Sequence, residues 1–290
     1  MMLNKKNRVE RFDKKFKFNA SSREDLKFFI KNGFVVYHNI YEKKVLNESK
    51  NYLLKLHSSL KKKYRNNSKF NAWKWADYIS EKFDNSDCSK KLYKSERLLY
   101  IIRKFLGPDI GMLNKKCLYI IDPKLKNYST KLKPHVDAWQ GNSIDTIQLN
   151  TYYTNADRFN SMLFYPGSHL LGLLPSKNRN LDPSVNIDIK PYYLNNIKSG
   201  DIVVFHPFIL HGTAISNSSK VKFRMAIGDR FKSLNKKFTS QEISLGYKVV
   251  SLGPINHITR IIGNDYASPF RVMGGPAKIN EALHDLYDLC

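Results

Sequence analysis

The chain has 290 residues, and its 49 Lys and Arg against 25 Asp and Glu give a net charge of +24. That length suits one large or two small domains and buries a full core without disulfides; the three scattered cysteines, Cys88, Cys117 and Cys290, have no CxxC or zinc-like spacing and suit a reducing compartment. No apolar run approaches the roughly 20 residues that cross a bilayer, and no apolar segment follows the charged N-terminus, so a soluble, cytoplasmic protein is expected.

Residues 1–20 are polar and basic and read as a flexible arm ahead of a single domain over 21–290. Ser21 lies three residues before Glu24, a capping-box start for a helix from Asp25 that closes at Asn32-Gly33. Phe34-Val35-Val36-Tyr37 is a short β-branched strand. Helical patterns follow over about 42–60 and 95–106, the second stopped by Gly107-Pro108. Strand-like runs then dominate: 117–121, 144–153, 162–165, 202–205 and 223–227. Helices first and many short strands later predict a mainly β core with flanking helices. The tail from about 238 is mixed and ends in a predicted helix over 276–289.

The basic surplus, dense at Lys5, Lys6, Lys14, Lys15, Lys17 and Lys61 to Lys63, attracts anionic partners. Nucleic acid, peripheral contact with an anionic membrane, and a phosphate-bearing or carrier-bound substrate all fit. An AT-rich coding bias, which also enriches Asn, Ile and Tyr, explains the lysines equally well. No RNA-binding signature, zinc finger or basic zipper is present, so no specific nucleic-acid module is expected.

The chemistry concentrates in His135-Val136-Asp137 and in the later segment running from Gly200 through His211 to Arg224. On an extended strand, residues i and i+2 project to one side, so His135 and Asp137 can reach a single ion. His211 follows an apolar strand and the turn-forming His206-Pro207, which returns it toward the same place. Two His and one carboxylate are the facial triad of non-haem Fe(II) oxygenases, with positions left open on the metal. Arg224, on the next apolar run, offers a guanidinium fork for a carboxylate, and Thr213 shares the face of His211.

These blocks resemble the phytanoyl-CoA dioxygenase-like (PhyH) family of Fe(II)/2-oxoglutarate-dependent oxygenases. The resembling segments are Asp25 to Val36, Phe105 to Asp109, His135-Val136-Asp137, Asn160 to His169, and Gly200 to Thr213. The resemblance implies a double-stranded β-helix, a cupin-like jelly roll. It also implies Fe(II) held by His135, Asp137 and His211, with 2-oxoglutarate and O2 as co-substrates and Arg224 and Thr213 on the far carboxylate. The reaction it implies is hydroxylation of a small molecule; the Asp137 carboxylate favours hydroxylation or desaturation over halogenation.

The sequence departs from the family pattern in places. Val136 stands where Gln is usual, at a position expected to point outward. Asn150, with Gln148 and Tyr152 on its face, stands near a usual Trp, so Asn150 and Gln148 are candidate co-substrate contacts. The span from His211 to Arg224 is longer than usual, which keeps Arg230 as a competitor. Tyr152 and Trp139 are candidates for the substrate pocket, and Trp73, Trp75 and Tyr78 for a lid or for the core. His169 and His206 read as structural, and His57 has no evident partner. The alternative functions are an inactive cupin-like module binding nucleic acid or membrane through its basic face, and a zinc hydrolase on the same ligands, which lacks an evident general base.

Overall fold

Helices fill the first part of the chain and strands the second. The computed structural model describes residues 16–64, 72–124, 130–178, 180–214 and 221–261. The 276–289 helix expected at the tail lies outside the described residues, as do residues 1–15 of the expected arm. The rest of that arm is ordered structure: β1 (Lys17–Phe18) pairs in parallel with β2 (Phe34–Tyr37), and Phe16 is buried. The helix Asp25–Asn32 forms as expected and closes on Gly33 at φ 80°, where glycine has no Cβ penalty. The Ser21 capping box does not form. Glu24 occupies the N-cap without a side-chain bond, and the buried Asp25 carboxylate instead receives the Tyr37 hydroxyl and pairs with Lys104.

The helices Lys43–Tyr64 and Glu96–Leu106 match expectation; Ala72–Asp84 and Asp87–Tyr93 were not foreseen. They matter because they cover a sheet. Its principal strands are β3 (Ile110–Leu113), β4 (Cys117–Ile121), β5 (Thr146–Tyr152), β10 (Ile202–Phe205), β12 (Arg224–Ser233) and β13 (Tyr247–Ser251). In order they run β1-β2-β10-β5-β12-β3-β13, with β4 also on β12. A smaller sheet, β11 (His211–Thr213), β6 (Met162–Phe164) and β9 (Tyr192–Tyr193), packs against it through an apolar cluster. In that cluster Phe34 stacks on Phe164 with centroids 4.5 Å apart. A hairpin of β7 (Ser176–Lys177) and β8 (Asn180–Leu181) stands apart.

Strand alternation sorts the large sheet's residues into two environments. One face of β4, β5 and β12 presents Leu118, Ile120, Ile147, Leu149, Met225, Ile227 and Phe231 to the helical core, which includes Trp75, Ile79, Phe83, Leu98 and Ile101. The other presents Cys117, Tyr119, Gln148, Asn150, Tyr152, Arg224, Ala226, Gly228 and Arg230, and Ala226 pairs across with Tyr152, Gly228 with Asn150 and Arg230 with Gln148. The polar inner face is the side on which chemistry can sit. Trp75 belongs to the core, not to a lid: it is 2% exposed and donates through Nε1 to His57 Nδ1. His57 in turn meets the Asp122 carboxylate at 3.2 Å, the partner that sequence alone did not reveal. No described helix is long and apolar enough to cross a membrane.

Asp229, on the outer face of β12, accepts from Lys116 Nζ at 2.8 Å and from the Tyr93 hydroxyl at 2.7 Å, tying the helix Asp87–Tyr93 to the sheet. Both charges are 1% exposed; Lys116 has a second carboxylate in Asp84 at 3.3 Å, whereas Asp229 pairs with no other cation among the described residues, so removing the lysine leaves the aspartate buried and uncompensated. Lys116→Ala should lower unfolding free energy by about 3–5 kcal/mol, read from the urea midpoint at unchanged slope; a loss under ~1 kcal/mol would mean that the pair is solvated and weak.

Candidate metal centre and its cavity

His135 and Asp137 do not lie on a regular strand. His135 forms an isolated antiparallel bridge with His211, through His135 N to His211 O at 2.8 Å and the reverse bond at 3.0 Å. Asp137 opens a short 3-10 turn, Asp137–Gln140, that ends on Gly141 at φ 89°. The i, i+2 expectation survives because Val136, between the two ligands, is extended, at φ −118° and ψ 127°. Val136 is not outward in the sense of exposed. It is fully buried against Leu174 and Leu210 and anchors the loop that carries both ligands.

The bridge requires a close backbone approach. A Cβ on Gly212 would lie 3.1 Å from Leu132 O and from Pro134 N, and 3.2 Å from Lys133 C, all main-chain atoms that cannot step aside. Each imidazole is then fixed by a carbonyl: His135 Nδ1 donates to Lys133 O at 2.8 Å and His211 Nδ1 to Ile209 O at 3.0 Å. Carbonyls only accept, so Nδ1 carries the proton in each neutral ring and Nε2 is the atom left to meet a metal; against the effect of burial, the Asp137 carboxylate raises the proton affinity of His135. The two Nε2 atoms lie 3.4 Å and 4.0 Å from the Asp137 carboxylate oxygens. His135, Asp137 and His211 are all buried, with one donor atom from each within 4.8 Å of the others.

The electrostatics suit a cation. Burial works against the Asp137 carboxylate, yet its hydrogen bond to His135 and the nearby His211 and Arg230 hold it far below the usual carboxylate range. Burial and the neighbouring His135 push His211 down to about 4. A carboxylate anion beside a neutral imidazole is the state that binds a divalent ion without first releasing a proton from that ring.

Beside the triad opens a small cavity lined among others by His135, Asn150, Tyr152, His211, Thr213 and Arg224. Arg224 is 2% exposed and faces no carboxylate among the described residues: Nη1 donates to Ser161 O at 3.2 Å, while Nε has no partner. Neither does the Tyr152 hydroxyl beside it have a well-formed hydrogen bond. Buried polar atoms left open in a cavity mark a place for a ligand. A dicarboxylate with one end on the metal and the other on Arg224 fits the donor set and the orphaned groups.

Other expected site residues sort by position. Thr213 lines the cavity and receives Leu132 N at 3.2 Å, and Asn150 lines it with its amide on Met162 Sδ at 3.0 Å. Gln148 is a correction: it lies one rung further along, where its Oε1 accepts from Arg230 Nε at 3.1 Å, outside the Arg224 cavity. Tyr152, expected in the substrate pocket, stands instead at the Arg224 end. Trp139 is half-buried, donating to Leu174 O at 2.6 Å. His169 and His206 are structural as expected: His169 Nε2 bonds Ile30 O, and His206 Nδ1 accepts from Phe208 N. Sequence reasoning missed Tyr119, which lines the cavity on a strand whose alternation was visible but not followed inward.

A model of the phytanoyl-CoA dioxygenase (PhyH) family matches residues 29–226, a span that holds the three clustered donors and Arg224. The chain belongs to the PhyH family. It is therefore an Fe(II)/2-oxoglutarate-dependent non-haem oxygenase in class. Solved structures share the jelly-roll fold at low identity. The epimerase SnoN in complex with Fe3+, alpha ketoglutarate and nogalamycin RO has a TM-score of 0.55 and 14% identity over 73% of this chain and 83% of its own. The non-heme monooxygenase ThoJ has 0.57 and 16% over 91% and 93%. EctD from S. alaskensis, with bound Fe, has 0.56 and 13% over 76% and 79%. No curated protein matches the sequence at a significant level.

The spacing enforced by Gly212 generates a test that needs no substrate. Gly212→Val should force the Leu132–His135 backbone away from β11 and lower Co(II) affinity by the order of 10–100-fold, the size of lost support around a ligand set. Titrating the Co(II) d–d absorption reads it, and an unchanged affinity with an unchanged melting temperature would refute the spacing role.

Proposed function

We propose that this enzyme hydroxylates a small molecule, with His135, Asp137 and His211 holding Fe(II) and Arg224 and Thr213 receiving the far carboxylate of 2-oxoglutarate. The observation that carries this reading is the buried Arg224, open in the same cavity as the triad and without an anion among the described residues. A guanidinium out of water calls for a charged partner, and a dicarboxylate supplies one.

The chain's part is positional. The Lys133 and Ile209 carbonyls fix both rings with Nε2 inward, and Asp137 contributes one negative charge. Arg224 sets the orientation of 2-oxoglutarate, and the Tyr152 hydroxyl and the Asn150 amide line its path. Leu132, Met162 and Ala226 keep that wall apolar and displace water. Iron bound there supplies O2 activation, with oxidation of 2-oxoglutarate to succinate and CO2 placing one oxygen atom in the substrate and one in succinate.

The net charge of +24 supports an anionic substrate, phosphate-bearing and carrier-bound forms among them, and peripheral contact with an anionic membrane; the scattered cysteines support a cytoplasmic setting. The intact donor set and the open Arg224 argue against the inactive-module and zinc-hydrolase readings, neither of which uses 2-oxoglutarate.

Anaerobic Fe(II) with 2-oxoglutarate should give a weak visible charge-transfer band that His135→Ala abolishes, and succinate should form on admitting O2. Arg224→Leu should raise KM for 2-oxoglutarate by about 100-fold, the loss of a buried charge pair, while the Co(II) titration stays within about threefold. Absence of both band and succinate in the native protein would sink the oxygenase assignment.

A further inference from the structure

A second buried arginine stands on the same inner face. Arg230 is 8% exposed and six residues beyond Arg224 on β12, roughly 20 Å further along the strand. It nonetheless borders the metal centre. The Asp137 carboxylate outweighs the effect of burial and raises the guanidinium's proton affinity, and Arg230 in turn lowers that of His135 and His211. Asp137 is ion-paired to the two histidines, and among the described residues no carboxylate forms an ion pair with Arg230. Its hydrogen-bond partner among the described residues is Gln148, whose Oε1 accepts from Nε. That contact turns the Gln148 amide so that Nε2, buried, has no acceptor.

The neighbour on the same face shows the contrast. Lys232 is fully buried, and its charge is met by Glu242 at 3.1 Å and by Ser143 Oγ at 2.6 Å. Arg230 has an amide oxygen where Lys232 has a carboxylate. Its surroundings also touch solvent. Cys117, Tyr119 and Tyr247, all within electrostatic reach of Arg230, are half-buried, whereas Leu118 and Ile120 on the opposite face of β4 are sealed in the core. The inner wall around Arg230 therefore keeps contact with solvent.

Charge then decides what that wall takes. Fe(II), the Asp137 carboxylate, the 2-oxoglutarate dianion and the Arg224 guanidinium together carry no net charge. Arg230 remains as one positive charge, itself largely buried, and that burial is costly until an anion meets it. One surplus charge calls for a monoanion, and a guanidinium fork beside a free amide N–H2 matches the planar oxygens of a carboxylate.

We propose that Arg230 and Gln148 form a carboxylate subsite that seats the anionic end of the substrate, so that this oxygenase acts on a monocarboxylate-bearing molecule. The inference rests on the oxygenase reading only in calling that anion the substrate; the subsite itself stands on Arg230 and Gln148.

The test uses the full-length protein with Zn(II) and saturating 2-oxoglutarate, which occupies Arg224. Probes are a set of small monocarboxylates, each paired with its primary amide and with the corresponding alkyl phosphate, and binding is read by saturation-transfer NMR. Carboxylates should bind at least about 30-fold more tightly than their amides, and Arg230→Gln should remove that preference, as loss of one partner of a buried charge pair does. Gln148→Leu should weaken carboxylates by a smaller factor. The 2-oxoglutarate titration of the anaerobic Fe(II) band should stay within about threefold in both variants.

Equal binding of acid and amide, a preference that persists in Arg230→Gln, or tighter binding of phosphates would overturn the carboxylate subsite. So would a weakened metal or 2-oxoglutarate titration with unchanged carboxylate binding, which would make Arg230 a positioning residue for Asp137. A missing band in the native protein condemns the oxygenase reading separately, because carboxylate binding is measured without turnover.

Discussion

The pair of backbone hydrogen bonds between His135 and His211, 2.8 and 3.0 Å long, is the constraint on which the rest of the site depends. It joins a loop that follows β4 to the short β11 of the smaller sheet, two segments far apart in sequence. Once joined, the rings stand with centroids 4.3 Å apart and both Nε2 atoms turn to one carboxylate. A metal site assembled from side chains alone would have to freeze three flexible groups. Here the main chain brings them together, the Lys133 and Ile209 carbonyls fix the tautomers, and Gly212 admits the approach. The cost of ordering the ligands is met by the fold before any ion arrives.

β12 carries the second half of the design. Ten residues long and buried throughout, it presents Met225, Ile227 and Phe231 outward to the helices and Arg224, Arg230 and Lys232 inward. Three cations on the inner face of one strand would be untenable without anions, and the fold treats each differently. Lys232 has Glu242 built in; Arg224 opens into the triad cavity; Arg230 has only an amide. Burial of a charge without its partner costs several kcal/mol, so a small anion would relieve each open position.

Much of this was legible in the sequence, for reasons that differ by residue. The triad and Arg224 stood out because few residue types bind iron or clasp a carboxylate, and their order along the chain survives any detail of backbone path. The strands were visible as β-branched runs because one face of each meets the helical core. The Ser21 cap failed because Tyr37 and Lys104 claim Asp25, a tertiary contact no local pattern encodes. The helix Ala72–Asp84 was missed although Ala72, Trp75, Ala76, Ile79 and Phe83 form a regular apolar stripe, because its aromatics were weighed one by one as core or lid; Trp75 is core, and Asp87–Tyr93 is too short to show a stripe. Gln148 was misassigned for a subtler reason: it shares the face of Asn150, but faces run the length of a strand and cavities do not.

That last error is informative about the enzyme. Two residues on one face, one rung apart, end in different environments because Arg230 engages Gln148 where Asn150 opens on the cavity. Asn150 meets the Arg224 cavity and Gln148 meets Arg230, so β5 and β12 together define two polar stations along one wall. On the proposed function the first is set by chemistry shared with the family, since the far carboxylate of 2-oxoglutarate would meet Arg224 there. The second is under no such requirement. A guanidinium kept buried at a station the co-substrate does not use exacts its desolvation cost in every folded molecule, and it is at that station that this chain's own specificity is written.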